Sequence, residues 1–312
     1  EPTLMETLID ALPRGATEIS LEANPGTLNQ TRIETYRRLG VNRISLGVQS
    51  FDADDLKTAG RLHRAMDSVS DFERLRREGF ENISIDLIAG LPGQERRAWK
   101  ENLRWIERLR PDHVSVYLLE LEDSSLWGKH TPQTPTDEEY RWFYSTITER
   151  LAGAGYDHYE ISSWAVPGAQ CRHNLGYWTD VPYRGLGLGA HSFIDGKRFW
   201  NTRSIGEYRN KLDCGEDPID TIEERTARIR VEEAFILGLR RLDGFDVWAV
   251  AKDIGIDYPQ EWFDRMDNLV DEGLVEFDGR ILKLRPPGWL LANGVIEELL
   301  CPTLLSICEA IP

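Results

Sequence analysis

From Thr3 to about Ile161, short apolar-alternating runs take turns with longer amphipathic stretches, the pattern of repeated βα units around parallel strands. Five strands are expected, at residues 18–22, 43–49, 82–89, 113–119 and 156–161. The helices between them carry their own punctuation. Thr27 with Gln30 reads as a capping box, and Gly40 and Gly79 each stand just past a helix end. Helical spacing puts Trp99, Leu103 and Ile106 on one face, and Tyr140, Tyr144, Ile147 and Leu151 on another.

Side chains alternate between the two faces of a strand, so parity divides these runs. One face collects Ile19, Leu21, Ile44, Leu46, Val48, Ile83, Ile85, Leu87, Val114, Val116 and Leu118, which suits packing beneath helices. The other is small or polar: Ser20, Glu22, Ser45, Gly47, Gln49, Ser84, Asp86, Ser115 and Tyr117. A sheet covered by helices on both sides should be apolar on both faces. The asymmetry therefore predicts a curved, barrel-like sheet with a polar interior, its chemistry near the carboxyl ends of the strands.

After Ile161 a Gly- and aromatic-rich stretch shows no period and reads as a functional loop region. From about Glu223 the chain turns helical, ends a helix at Gly273, and enters a hairpin marked by Asp278-Gly279. That order suggests a winged-helix-like module, followed by a helix at about 289–300 and a tail that the pattern does not interpret.

Composition narrows the partners. The 53 acidic against 37 basic residues give a formal charge of −16, which repels phosphate backbones and makes nucleic acid an unlikely general partner. Cys171, Cys214, Cys301 and Cys308 are too few and too scattered for a disulfide framework, so a reducing cytoplasm is expected. No apolar run approaches the ~20 residues that span a bilayer. Peripheral membrane docking and oligomeric state stay open.

Three runs carry chemistry. SLEANPGT (20–27) sets Glu22 at a strand end before a turn. GVQSF (47–51) with GRLH (60–63) sets Gln49 at a second strand end and Arg61 soon after. SIDLIAGLPGQ (84–94) supplies Asp86 and a Gly-Leu-Pro-Gly loop. A carboxylate on an inner face is more than a turn requires, because an unpaired buried charge is costly. In this order and at these spacings, the three runs resemble the S-adenosylmethionine-binding barrel of the HemN/HemW family of radical S-adenosylmethionine (radical SAM) proteins, over nearly the whole chain to about Leu300. The resemblance implies that Glu22, Gln49, Arg61 and Asp86 contact S-adenosylmethionine. The carboxylates suit its amino group and ribose hydroxyls, and Arg61 suits its carboxylate.

HNLGYW (173–178), preceded by Cys171, resembles the HemW haem chaperone branch. The branch implies a chaperone that binds haem and S-adenosylmethionine and delivers haem to acceptor proteins. His173 and Cys171 are its candidate iron ligands, and Tyr177 and Trp178 can pack against a porphyrin. The alternative within the family is oxygen-independent coproporphyrinogen III dehydrogenase, an oxidoreductase of porphyrin biosynthesis. A regulator that uses the winged module on nucleic acid is disfavoured by the charge. GLGLGAHSF (185–193) comes too late for a dinucleotide fingerprint. Its glycines read as permitting close backbone approach, with His191 a weak ligand candidate. His63, His113, His130 and His158 are assigned to structure, and Cys301 and Cys308 to ordinary side chains.

The expected architecture is α/β: a partial (βα) TIM-like barrel of radical SAM type over 1–165, a connecting haem-contact region over 166–222, and a mainly helical, winged-helix-like domain over 223–312. The family's Cys-x-x-x-Cys-x-x-Cys loop, which holds a [4Fe–4S] cluster, and its Gly-Gly-Gly-Thr-Pro segment are absent, and the first residue is Glu1. An N-terminally truncated chain is expected, with the cluster held only by an intact parent, because three thiolates are needed to ligate it.

Overall fold

The computed structural model describes residues 2–13, 15–121, 132 and 134–311. The chain divides into two compact units, Glu1–Arg172 and His173–Pro312.

In the first unit, α1 (Pro2–Ala11) precedes a βα series. This comprises β1 (Ser20–Ala23), α2 (Gln30–Arg38), β2 (Arg43–Gln49), α3 (Ala53–Thr58), α4 (Ala65–Arg77), β3 (Asn82–Ala89), α5 (Arg96–Leu109) and β4 (His113–Leu118). Then come α6 (Asp137–Gly153), β5 (Asp157–Glu160) and β6 (Ser163–Ala165). One six-stranded sheet runs β1-β2-β3-β4-β6-β5, with β1 to β4 parallel. The expected apolar face packs as parity requires: Ile44, Leu46, Val48, Ile83, Ile85, Leu87 and Val114 are fully buried. So are Trp99, Leu103 and Ile106 on α5.

Two expectations need correction. The strand at 156–161 does not extend the parallel series. The chain turns back at Ile161-Ser162, and the return strand β6 inserts antiparallel between β4 and β5. Packing holds this hairpin: His158 stacks on fully buried Trp164 with rings 4.2 Å apart, and the Tyr144 hydroxyl donates to the Ile161 carbonyl at 2.6 Å. The cap of α2 is Asn29, whose side chain accepts from the Arg32 amide at 2.9 Å, while Thr27 turns back to the Asn24 carbonyl at 2.6 Å. The Asx cap wins because Asn29 stands directly before the first helical residue. Gly40 and Gly79 end their helices with φ of 85° and 81°, as placed from sequence.

The second unit opens with α7 (Arg172–Trp178), whose first residue closes the preceding unit. The HNLGYW run is therefore helical, contrary to the loop expected. The aperiodic stretch also contains β7 (His191–Ile194), β8 (Lys197–Asn201), α8 (Ile205–Asp213) and β9 (Ile219–Glu224), with the three strands forming an antiparallel sheet. These strands escape pattern reading because each is four to six residues long and half-exposed, leaving too few buried positions to show a period. Gly185 justifies its residue type: a Cβ there would collide with the His191 carbonyl.

The remainder is α9 (Ala227–Gly238), β10 (Phe245–Asp246), α10 (Val247–Ile254), α11 (Gln260–Asp271), β11 (Val275–Phe277) and β12 (Ile281–Leu284). Three short helices close the chain: α12 (Pro286–Trp289), α13 (Ala292–Leu299) and α14 (Pro302–Glu309). Helices followed by a β-wing, with β10 as its third strand, match the winged arrangement expected. The hairpin turns at Asp278-Gly279, where the Asp278 carboxylate accepts from the Arg280 and Ile281 amides at 2.9 and 2.7 Å and Gly279 has φ 92°. The uninterpreted tail is α14, anchored by buried Leu304 and Cys308.

Gly238, buried at the end of α9, touches the base of the Phe245 ring, and an added Cβ would overlap it. Overpacking costs about 1–3 kcal/mol, more than the roughly 0.5–1 kcal/mol that a helix gains from Gly→Ala. Urea unfolding should therefore show Gly238→Ala destabilised. Gly294→Ala, in α13 with nothing near its Cβ, should be neutral or slightly stabilised.

Candidate functional site

Register turns the polar face of the first unit into two continuous rows. Glu22, Ser45, Ser84 and His113 stand side by side across β1 to β4. Asp86, Ser115, Ser163 and Glu160 form the next row across β3, β4, β6 and β5. Asp86 lies at their centre. Its carboxylate accepts from the Ser45 hydroxyl at 2.8 Å, from Ser84 at 3.2 Å and from Ser115. Burial still raises its pKa, with the neighbouring charge of Glu22 adding to the rise. Burial likewise pushes Tyr117 up to about 12, and Asp86 adds to it.

Gln49 ends β2 past a register shift, with φ 66°. That left-handed conformation is uncommon for a side-chain-bearing residue and is kept only where the surroundings impose it. It folds the side chain over Gly47, where a Cβ would lie 3.1 Å from the Gln49 amide nitrogen and 3.7 Å from Asn24 Oδ1. Arg61 donates to the same Asn24 oxygen at 3.2 Å. Gln49, Asn24 and Arg61 thus gather at one end of the sheet. Sequence reading passed over Asn24, though it sits inside the EANPGT run; its signal was a second polar side chain two positions beyond Glu22. Glu160, buried at the end of β5, was also missed: its strand was expected, but not the return strand β6 that sets it beside Ser163.

The motifs are also tied to one another. Gln94 of the GLPGQ loop donates to Asp55 at 2.8 Å and accepts from the Gly90 amide at 2.8 Å, and Asp55 accepts from Ser50 of GVQSF at 2.7 Å. Asp71 receives the Gly26 amide at 2.7 Å and fixes the Asn-Pro-Gly turn. His63 contacts the Val48 carbonyl at 3.2 Å, in keeping with a structural role. His130 lies outside the described residues.

His113 does more than fill space. It is fully buried, and desolvation lowers its pKa to about 3, with Arg43 adding to the shift, so the ring is neutral. Nδ1 lies 2.9 Å from Ser84 and Nε2 lies 2.8 Å from the Tyr159 hydroxyl, which also accepts the Cys171 amide at 3.3 Å. An ionised carboxylate only accepts. With Asp86 ionised, Ser84 donates to it and accepts from Nδ1–H, which leaves Nε2 to accept from Tyr159.

On α7, His173 and Tyr177 are exposed and share a face, their rings 4.7 Å apart edge to face. Tyr177 makes the same contact with Tyr183 at 4.7 Å. Trp178 is half-buried, and its Nε1 is buried without a partner among the described residues. Cys171 is buried. His191 stacks on Trp200 at 5.2 Å.

The candidate S-adenosylmethionine residues suit that ligand. Among the described residues neither Glu22 nor Arg61 makes an ion pair. Glu22 is exposed and Arg61 is held by the neutral Asn24 oxygen, so the face presents charge of both signs without ion pairs to a guest that carries ammonium, sulfonium and carboxylate groups. The cysteines do not suit an iron–sulfur cluster: no three potential ligands gather among the described residues.

Comparison with known proteins agrees with this geometry. Residues 2–106 match the Radical SAM superfamily and residues 226–291 match the HemN C-terminal domain. Among solved structures, coproporphyrinogen III oxidase (HemN) from Escherichia coli superposes with a TM-score of 0.79 over 96% of this chain and 74% of that one, at 20% identity. Fold and domain content thus define a radical SAM protein: a partial TIM-like barrel with a helical C-terminal domain. Among curated proteins, heme chaperone HemW of Synechocystis is 37% identical over 276 residues, 86% of this chain and 67% of that protein. The heme chaperone HemW of Bacillus subtilis is 33% identical over 287 residues, 91% and 76% respectively. The chain belongs to the HemN/HemW family.

A pH prediction follows from the buried imidazoles. In the folded state His113 titrates at about 3 and His158 at about 4, against 6.5 for an ordinary histidine. Below the ordinary value the unfolded chain takes up protons that the folded chain refuses, so stability falls with acidification across that window. Each histidine contributes up to about 1.4 kcal/mol per pH unit. Buried carboxylates such as Asp86 act in the opposite sense, so the check is a difference: over pH 7 to 4 the urea midpoint of His113→Gln should change more favourably on acidification than that of the native chain. Equal slopes would contradict the buried neutral ring.

Proposed function

We propose that this chain is a haem-handling protein of the chaperone branch, which binds haem and S-adenosylmethionine and passes haem to acceptor proteins in the cytoplasm. The carrying observation is α7, which presents His173 and Tyr177 to solvent on one face and Trp178 beside them. An exposed imidazole is a competent axial ligand, and aromatic rings close by can cover a porphyrin face. His173 takes the ligand role in preference to Cys171, which is buried. Curated relatives bearing the name heme chaperone HemW support the reading. The likeness to coproporphyrinogen III oxidase is one of fold and does not bring that reaction to this chain.

In this reading Glu22 and Asp86 engage the cationic and hydroxyl groups of S-adenosylmethionine, Arg61 its carboxylate, and Gln49 holds the mouth of the barrel. The three-part division at 165 and 222 describes the working parts: nucleoside site, haem contact and winged module. When bound, S-adenosylmethionine supplies a sulfonium centre, and this chain's own residues orient it and exclude water around Asp86. The net charge of −16 argues against nucleic acid as a partner of the winged module.

Titration of the chain with ferric haem, followed by absorbance, should show one saturable site. His173→Ala should weaken binding at least about tenfold, equivalent to roughly 1.4 kcal/mol, and alter the Soret band. Unchanged affinity and spectrum in that variant would remove His173 from the account.

A further inference from the structure

The second unit contains a cavity of about 620 Å³, within the range of small-molecule and cofactor sites. Trp178 of the HNLGYW helix and Phe193 of β7 form one side. The floor is an apolar stripe of α9, Ala234, Leu237 and Gly238, spaced to share a helix face, and it continues through Phe245 to Val250 and Ile254 of α10. Three arginines, Arg225, Arg230 and Arg241, line the same space.

The arginines are not equivalent. Arg225 is locked: its side chain is 8% exposed, lies 4.5 Å over the Phe193 ring, and meets Glu233 at 2.6 Å, itself only 11% exposed. Arg230 and Arg241 are held by carboxylates that face water, Asp253 at 76% exposure and Asp243 at 68%. Arg230 also donates to the Asp253 carbonyl at 2.9 Å and Arg241 grips Asp243 through two nitrogens, but both carboxylates keep access to water, so an incoming carboxylate can exchange with them, one ion pair for another. Apolar helix positions and aromatic rings that share one cavity with arginines whose partner carboxylates, Asp253 among the lining, face water suit a hydrophobic molecule that carries carboxylates of its own.

We infer that this cavity receives the propionate-bearing edge of haem, with Arg230 and Arg241 as the carboxylate partners and Arg225 as a fixed wall. The inference rests on the haem reading above and adds a subsite that fixes the orientation of the porphyrin. Trp178 links the two, since it belongs to the haem-contact helix and also lines the cavity.

The test compares ferric protoporphyrin IX with its dimethyl ester, which keeps the ring and the iron but removes both negative charges. On the native chain the diacid should bind at least about tenfold more tightly than the ester. Arg230→Gln/Arg241→Gln should lose that preference, weakening the diacid while leaving the ester unchanged, with circular dichroism confirming the fold. His173→Ala should weaken both porphyrins and keep the preference between them. Ala234→Trp, which fills the floor without touching a charge, should weaken both. Equal affinity for diacid and ester on the native chain, or a double variant that keeps the preference, overturns the subsite and leaves the haem reading standing. Absence of haem binding to the native chain overturns both.

Discussion

When ionised, Asp86 can only accept hydrogen bonds, and that one-way demand orders the polar face of the barrel. Three serine hydroxyls must turn toward it, from β2, β3 and β4. With Asp86 ionised, Ser84 donates to it and accepts from His113 Nδ1–H, which sets the tautomer of a ring that burial keeps neutral. The opposite nitrogen then takes the Tyr159 proton, and the Tyr159 oxygen accepts the amide of Cys171, the residue before α7. A row of small polar side chains across four parallel strands is thus a directed network, which a buried polar cluster must be if it is not to cost more than an apolar core.

Much of this was legible in the sequence because parallel strands repeat one rule. Parity alone separated Ile83, Ile85 and Leu87 from Ser84 and Asp86, and the register places the polar set in adjacent rows. It could not show that β6 folds back between β4 and β5, because a return strand of three residues has no period of its own. For the same reason Glu160 was lost. HNLGYW read as a loop because a seven-residue helix with no buried position lacks the apolar stripe by which helices are recognised. His113 and Tyr159 were invisible as partners: their link depends on two strands separated by a long helix, and residue types alone do not disclose a 2.8 Å contact.

The candidate sites share a logic of partnered and unpartnered charge. Arg225 and Glu233 are matched to each other with both partners shielded from solvent. Groups proposed to meet ligands are matched weakly or by neutral atoms. Arg61 has an amide oxygen, Arg230 and Arg241 have carboxylates in water, and Glu22 has no ion-pair partner among the described residues. A charge that the protein itself holds only weakly can exchange its partner for one that a ligand supplies.

Asp86 shows how that balance works within one residue. Burial and Glu22 raise its pKa while three hydroxyls oppose the rise, so the folded state holds the anion at a cost that the hydroxyls only partly offset. Because its folded pKa lies above the unfolded value, this group favours the folded state least once pH has risen past both values, where both states carry the anion. Under the proposed function, a cationic guest beside Asp86 would bring that pKa down and recover part of the cost of burying the carboxylate. The same reasoning explains why the neighbours of Asp86 are serines. Hydroxyls soften the burial without neutralising the charge, whereas a lysine or arginine in the row would satisfy Asp86 permanently and leave the ligand nothing to complete.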